Sequence, residues 1–209
     1  MIYSLDHKFL LLKNAKVGGS SLEVELSKIL PDNAIVTPID PKNLEHNPRN
    51  YEIKFYNHAP YSLIKNFLDL SDVKKYVFVR NPYSIVLSDF FHILHDRVSP
   101  NFKKYNDKDF LNKELDMYFS NNMIKNTHWI YTENDKIIVD KILYYENGIE
   151  DEINKVLPSH GIDNIKMQTF EKKYKPDWAN YKDIFNHEHI DKINKEWSWE
   201  FKNLGYSLL

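Results

Sequence analysis

Two short apolar runs set the main constraint on how this chain can fold. Phe9-Leu10-Leu11-Leu12 and Tyr76-Val77-Phe78-Val79 are apolar without alternation, and each breaks off into polar residues ahead of a helical pattern. A continuous run that short fits a strand buried on both faces, as in a parallel sheet. After the first run comes Asn14-Ala15-Lys16-Val17-Gly18-Gly19-Ser20-Ser21. Leu22, Leu26, Ile29 and Leu30 then follow at helical spacing, and Pro31 closes the pattern. Ser20 or Ser21 is placed to cap that helix, with Glu23 and Glu25 in or near its first turn, where carboxylates complement the dipole. After the second run, Arg80-Asn81 leads to Pro82, at a position where a first helical turn tolerates proline. The helix continues through Ile85, Val86, Ser88, Asp89, Phe90 and Ile93.

The remaining segments repeat that alternation. Tyr51-Glu52-Ile53-Lys54-Phe55 alternates like a half-exposed strand and runs into Asn57-His58-Ala59-Pro60, ahead of a short helix from Tyr61 to Leu68. Lys141-Ile142-Leu143-Tyr144-Tyr145 reads as a further strand, and the segments around 108–130, 149–157 and 188–203 read as helices. Strands alternating with helices imply right-handed crossovers. The expected fold class is α/β, a three-layer parallel sheet with P-loop-like strand–loop–helix units, forming a single domain over residues 1–209. The stretches 96–108 and 171–182 read as surface loops able to flank a site.

Composition removes several function classes. With 28 Lys plus Arg against 30 Asp plus Glu, the net charge of -2 argues against a dedicated polyanion binder, so no nucleic-acid partner is expected. The absence of cysteine excludes a disulfide framework, Cys-ligated zinc, Fe–S clusters and thiol catalysis. No apolar run approaches the roughly 18 residues of a membrane span, and the first residues do not form a signal peptide. A cytoplasmic protein is therefore expected. Against this background, glycine and arginine are scarce. The chain has 5 glycines, two of them adjacent at Gly18 and Gly19, and its arginines are Arg49, Arg80 and Arg97.

A strand feeding a glycine turn into a helix N-terminus is a phosphate cradle, because free backbone N–H groups and the helix dipole converge there. Lys16 adds a mobile charge, and Ser20 and Ser21 add hydroxyl donors. The Walker A pattern is absent, since the lysine precedes the glycines and no Lys-Ser/Thr pair opens the helix. Taken alone, the loop is equally readable as an ordinary turn with a glycine next to a cap. Arg80 ends the second strand on the carboxyl edge, where open α/β sheets bind ligands, and its guanidinium suits bidentate contact with phosphate. A surface arginine and a plain helix serine are the bland alternatives for Arg80 and Ser88.

Read together, Lys16-Val17-Gly18-Gly19-Ser20-Ser21 and Phe78-Val79-Arg80-Asn81-Pro82-Tyr83 with Ser88 and Asp89-Phe90 resemble the sulfotransferase family, which uses 3′-phosphoadenosine 5′-phosphosulfate (PAPS). The nearer likeness is to the carbohydrate-modifying branch of bacterial or viral type, without the membrane anchor of the Golgi members. Ala15 stands where that branch usually has proline, and Val17 where it usually has threonine, which removes one hydroxyl donor. Ile142-Leu143-Tyr144-Tyr145-Glu146-Asn147 and Phe201-Lys202-Asn203-Leu204-Gly205-Tyr206 extend the likeness over nearly the whole chain. The resemblance implies that Lys16, Val17, Gly18, Gly19, Ser20 and Ser21 hold the 5′-phosphosulfate and that Arg80 and Ser88 hold the 3′-phosphate. It further implies that Lys16 neutralises charge on the departing 3′,5′-ADP, and that no metal takes part. The Asn57-His58-Ala59-Pro60-Tyr61 segment is similar to the site of the family's base, so His58 is the expected acceptor-facing base; its ordinary titration range suits that work near neutrality.

Three readings stay open at this level: a sulfotransferase with a small-molecule or saccharide acceptor, an ATP-dependent phosphotransferase of P-loop type, and a non-catalytic nucleotide-binding module. His92 with His95, and His187 with His189, are spaced like metal ligands but lack a third partner, so solvated helix faces are the plainer reading. Trp197, Trp199 and Tyr206 read as core or interface aromatics, and Lys172-Lys173-Tyr174-Lys175 as a solvated basic run.

Overall fold

A computed structural model of the chain describes residues 1–39, 45–52, 54–98, 105, 107–121, 123–168 and 174–209. Within it the chain forms two compact units, each built from two stretches of sequence. The first comprises Met1–Arg80 and Thr127–Glu171, and the second Asn81–Asn126 and Lys172–Leu209.

The first unit holds a five-stranded sheet of β1 (Ile2–Ser4), β2 (Phe9–Leu12), β3 (Ile35–Val36), β4 (Lys74–Val79) and, from its second stretch, β7 (Lys141–Tyr144), in the order β3-β1-β2-β4-β7. The two apolar runs are its central strands. β2 pairs in parallel with β4, and β4 in parallel with β7. Leu10, Leu12, Val77 and Val79 are as thoroughly buried as their neighbours Leu11 and Phe78, which is why these runs show no alternation. The sheet is mixed, however, and not parallel throughout. β1 runs antiparallel to both β2 and β3. Only four residues separate Ser4 from Phe9, with Lys8 N–H donating to the Leu5 carbonyl at 3.0 Å, and so tight a turn joins strands only in antiparallel sense.

Helix α1 (Gly19–Ile29) follows β2, and the short α2 (Tyr61–Ile64) precedes β4. One face of the sheet packs Phe9, Leu11, Tyr76, Phe78 and Leu143 against Leu22 and Leu26 of α1 and Ile153 of α5 (Ile149–Asn154). Each such buried apolar side chain contributes about 1.5–3 kcal/mol. A small hairpin of β5 (Thr132–Glu133) and β6 (Lys136–Ile137) stands apart from the sheet.

Several expected elements differ. Tyr51, Glu52, Lys54 and Phe55 are not in a strand, and Ile53 lies outside the described residues. Phe55 N–H bonds to the Tyr51 carbonyl instead, a local turn that takes the place of a ladder. The helix expected from Tyr61 to Leu68 is one turn long, and Tyr145 opens a 3-10 turn beyond β7. Ile29, expected on the apolar face of α1, is half exposed.

The second unit is helical: α3 (Pro82–Val98), α4 (Lys108–Asn121), α6 (Tyr181–Ile184), α7 (His187–Glu196) and α8 (Ser198–Leu204). Its core is notably aromatic, joining Tyr83, Phe90, Phe91, Tyr105, Tyr118, Phe119, Trp197 and Phe201. Trp197 is thus a core residue, as expected, while Trp199 is only partly covered. Of the loops expected at 96–108 and 171–182, residues 99–104, 106 and 171–173 lie outside the described set, including Lys172 and Lys173 of the basic run. No described helix is long and apolar enough to cross a membrane.

Candidate functional site

The loop between β2 and α1 turns on two left-handed residues. Gly18 has φ 73° and Lys16 has φ 58°. At Gly18 the requirement for glycine is double. An L side chain rarely adopts that φ, and a Cβ there would stand 2.3 Å from Ile149 Cδ1. Gly18 also serves as the N-cap of α1, with no side-chain cap bond. The expected serine cap is therefore corrected: because the glycine turns the chain two to three residues earlier, Ser20 and Ser21 fall inside the first helical turn. That turn carries no acidic residue. Its backbone N–H groups lie among those a helix start leaves without intrahelical partners, so the donor set of this loop suits an anion.

Val17 is buried in the apolar cluster of the first unit, so only its backbone can serve a ligand. Its place in the core gives a physical use for valine at this position. Lys16, Gly19 and Ser20 are partly exposed, and Ser21 is buried.

Arg80 leaves the end of β4 and braces this loop. Its Nη1 donates to the Lys16 carbonyl at 2.8 Å, and its guanidinium lies 4.1 Å over the Tyr145 ring. Arginine is required for both contacts at once, because a planar fork can stack while it donates. Tyr145, expected at the end of a strand, also floors Gly18: its Cε2 stands 3.5 Å from where a Cβ there would be. Ser88 lies on α3 of the second unit.

His58 sits in the turn between Phe55 and Pro60, itself left-handed at φ 64°. Its Nδ1 lies 3.0 Å from the Lys13 carbonyl. A carbonyl only accepts, so Nδ1 carries the proton and Nε2 keeps the lone pair, the form in which an imidazole removes a proton. Burial first, and then the nearby Lys13 ammonium, lower the His58 pKa from 6.5 to about 4. The ring is consequently neutral throughout the physiological range.

Beneath the loop lies a buried charge cluster that the sequence does not announce. Lys13 Nζ stands 2.5 Å from Glu23 Oε2, with side-chain exposures of 3% and 2%. The Met1 amine donates to Glu23 Oε1 at 2.6 Å and also to Thr37 Oγ1. Glu23 was expected to complement the helix dipole. Instead it is turned inward, and its pKa is lowered by the two cations it joins, against the opposing effect of burial. A lone lysine after an apolar run is the only sequence signal for this cluster.

His92, His95 and His189 pack against aromatic rings. His92 and His95 stack on Tyr174, with centroids 5.3 and 4.1 Å apart. His189 is buried, stacks on Phe119 at 4.1 Å and lies 3.5 Å from Asp116. Among the described residues no group of three or more His, Cys, Asp or Glu is arranged to hold a metal ion.

The structure thus brings Lys16, Val17, Gly18, Gly19, Ser20, Ser21, Arg80 and His58 into one unit. No protein-family model, curated protein or solved structure matches the chain.

Proposed function

We propose that this chain is a PAPS-dependent sulfotransferase. The observation that carries the reading is the junction at Lys13: one residue ties a neutral, Nδ1-protonated histidine to a glycine loop at a helix N-terminus. A phosphate-binding module alone has no use for an oriented base, and a base alone has no use for the anion cradle. The sequence resemblance supplies the identity of the anion.

When bound, PAPS supplies a sulfuryl group on a phosphate leaving group. Everything else falls to the chain's own residues. The amides of Gly19, Ser20 and Ser21 and the Ser20 hydroxyl hold the 5′-phosphate, aided by the helix dipole. Lys16 offsets charge that gathers on the bridging oxygen as the S–O bond to 3′,5′-ADP breaks, a contribution of the preorganised electrostatic kind. His58 Nε2 accepts the acceptor hydroxyl's proton while the new O–S bond forms, so that the bond broken at the donor balances the bond made at the acceptor. Arg80 holds the 3′-phosphate while it braces the loop. The assignment of Ser88 to that phosphate, and the hydroxyl or amine acceptor of small-molecule or saccharide type, rest on the resemblance alone.

A ligand-induced melting shift tests the reading. A ligand that binds only the folded state at 100 times its Kd stabilises by about 2.7 kcal/mol. A clear shift with 3′,5′-ADP and none with ATP-Mg²⁺ is expected. The reverse pattern identifies a phosphotransferase, and no shift with either removes the nucleotide site.

A further inference from the structure

The base and the cradle meet at a residue outside both motifs. The Lys13 carbonyl accepts from His58 Nδ1 at 3.0 Å. Its alkyl chain runs beneath the loop, with Cγ and Cε 3.2 and 3.4 Å from where a Cβ on Gly19 would be. Its ammonium ends on Glu23. We propose that Lys13, fixed by Glu23, is a positioning residue of this site: its carbonyl orients His58, its alkyl chain floors the phosphate loop, and its ammonium, held on Glu23, sets one positive charge beneath the site. The inference rests on the reading of His58 as a base.

Stability alone does not account for the pair. Taking two ions out of water costs several kcal/mol each, and replacing a buried pair by apolar groups is often neutral or stabilising. A charge kept under the site is better explained by what it does to the site. The charged and titratable groups around His58 come from each neighbouring segment: the Met1 amine ahead of β1, Lys13 after β2, and Glu23 on α1. His46, from the segment 45–49, belongs to the same cluster and feels the same three charges. Lys13 and the amine oppose protonation of His58, whereas Glu23 favours it. Lys13 acts most strongly among these charges, after burial itself. Removing Lys13 and removing Glu23 therefore have opposite consequences for His58, whereas simple loosening of the core would expose the ring in both cases.

The test is ¹⁵N and ¹H NMR titration of the histidines, with the His58 signals identified by their loss in His58→Asn. The wild-type ring should show the Nδ1–H tautomer and begin to protonate only near pH 4. Lys13→Met keeps the alkyl floor and should raise that midpoint by about one pH unit or more. Glu23→Gln should not raise it. An Nε2–H tautomer, an unmoved midpoint in Lys13→Met, or equal upward movement in both variants overturns the proposal. Should Lys13→Met not fold, the double variant Lys13→Met/Glu23→Leu replaces both charges with apolar groups. It should show a smaller rise, because Lys13 acts on His58 more strongly than Glu23 does in the opposite sense, and an unmoved or lowered midpoint there overturns the proposal. None of these readouts needs PAPS, so failure here is distinct from failure of the 3′,5′-ADP melting shift.

Discussion

Holding a histidine at φ 64° costs about 1–3 kcal/mol of backbone strain. Strain of this kind persists where the surroundings over-determine it, and here the Lys13 carbonyl does so. The expected consequence is catalytic. His58→Asn suits the left-handed position but offers no base, so kcat should fall by about 10²–10⁴ while 3′,5′-ADP affinity stays unchanged. A variant that keeps full activity, or loses nucleotide affinity together with turnover, removes His58 from the role of base. Because only the neutral ring accepts a proton, the wild-type rate should hold on acidification and fall only as the pH drops through about 4. An acid limb near 6.5 would contradict the buried setting. Lys16 is separable by the same logic: Lys16→Ala should lower kcat by about 10²-fold or more, the scale of one preorganised donor, with a smaller effect on PAPS binding. A rise in KM alone would make it an anchor.

At the scale of elements, the loop is held from below as much as it is shaped by its own glycines. Ile149 on α5 fills the space a Gly18 side chain would need, and Arg80 at the end of β4 bonds the Lys16 carbonyl. Gly18→Ala should therefore destabilise the fold by more than the roughly 1 kcal/mol of a left-handed alanine, and should weaken 3′,5′-ADP binding by displacing the amides. Calorimetry showing unchanged affinity would mean that the cradle is not the binding element. Arg80→Ala should weaken 3′,5′-ADP by about 1.5–3 kcal/mol, the scale of a charge-assisted hydrogen bond, and adenosine much less. Much of this was legible in the sequence. β2 and β4 announce themselves because strands buried on both faces show unbroken apolar runs, and the glycine pair marks the loop between β2 and α1. β1 and β3 were not legible, since they are three and two residues long and exist through pairing with distant partners. The alternation at Tyr51–Phe55 imitated a strand but met no ladder. The Lys13–Glu23 pair was not legible, because a charge beside an apolar run looks the same whether it points to water or to a buried partner, and Glu23 read as a carboxylate serving the helix dipole.

At the scale of the whole molecule, the buried histidines make the fold sensitive to acid well before its carboxylates do. His46, His58 and His189 all have pKa values lowered chiefly by burial. For each, the unfolded chain binds a proton below about 6.5 that the folded chain still refuses. Stability rises with pH wherever the unfolded state binds more protons, so across this window it must fall as the pH falls. For His58 the window runs from 6.5 down to about 4, which amounts to roughly 2 kcal/mol already lost by pH 5. Carboxylates such as Glu23 and Glu152, whose pKa values are lowered by their cation partners against burial, add a second loss only as the pH drops below about 4.5. Urea midpoints measured between pH 7.5 and pH 5 should thus decline in the wild type, and the decline should be visibly shallower in His58→Asn. If that variant has the same slope as the wild type, the imidazole titrates alike in the folded and unfolded chain. It then cannot be the dehydrated ring that the Lys13 carbonyl holds, and the neutral base on which the proposed chemistry depends is gone with it.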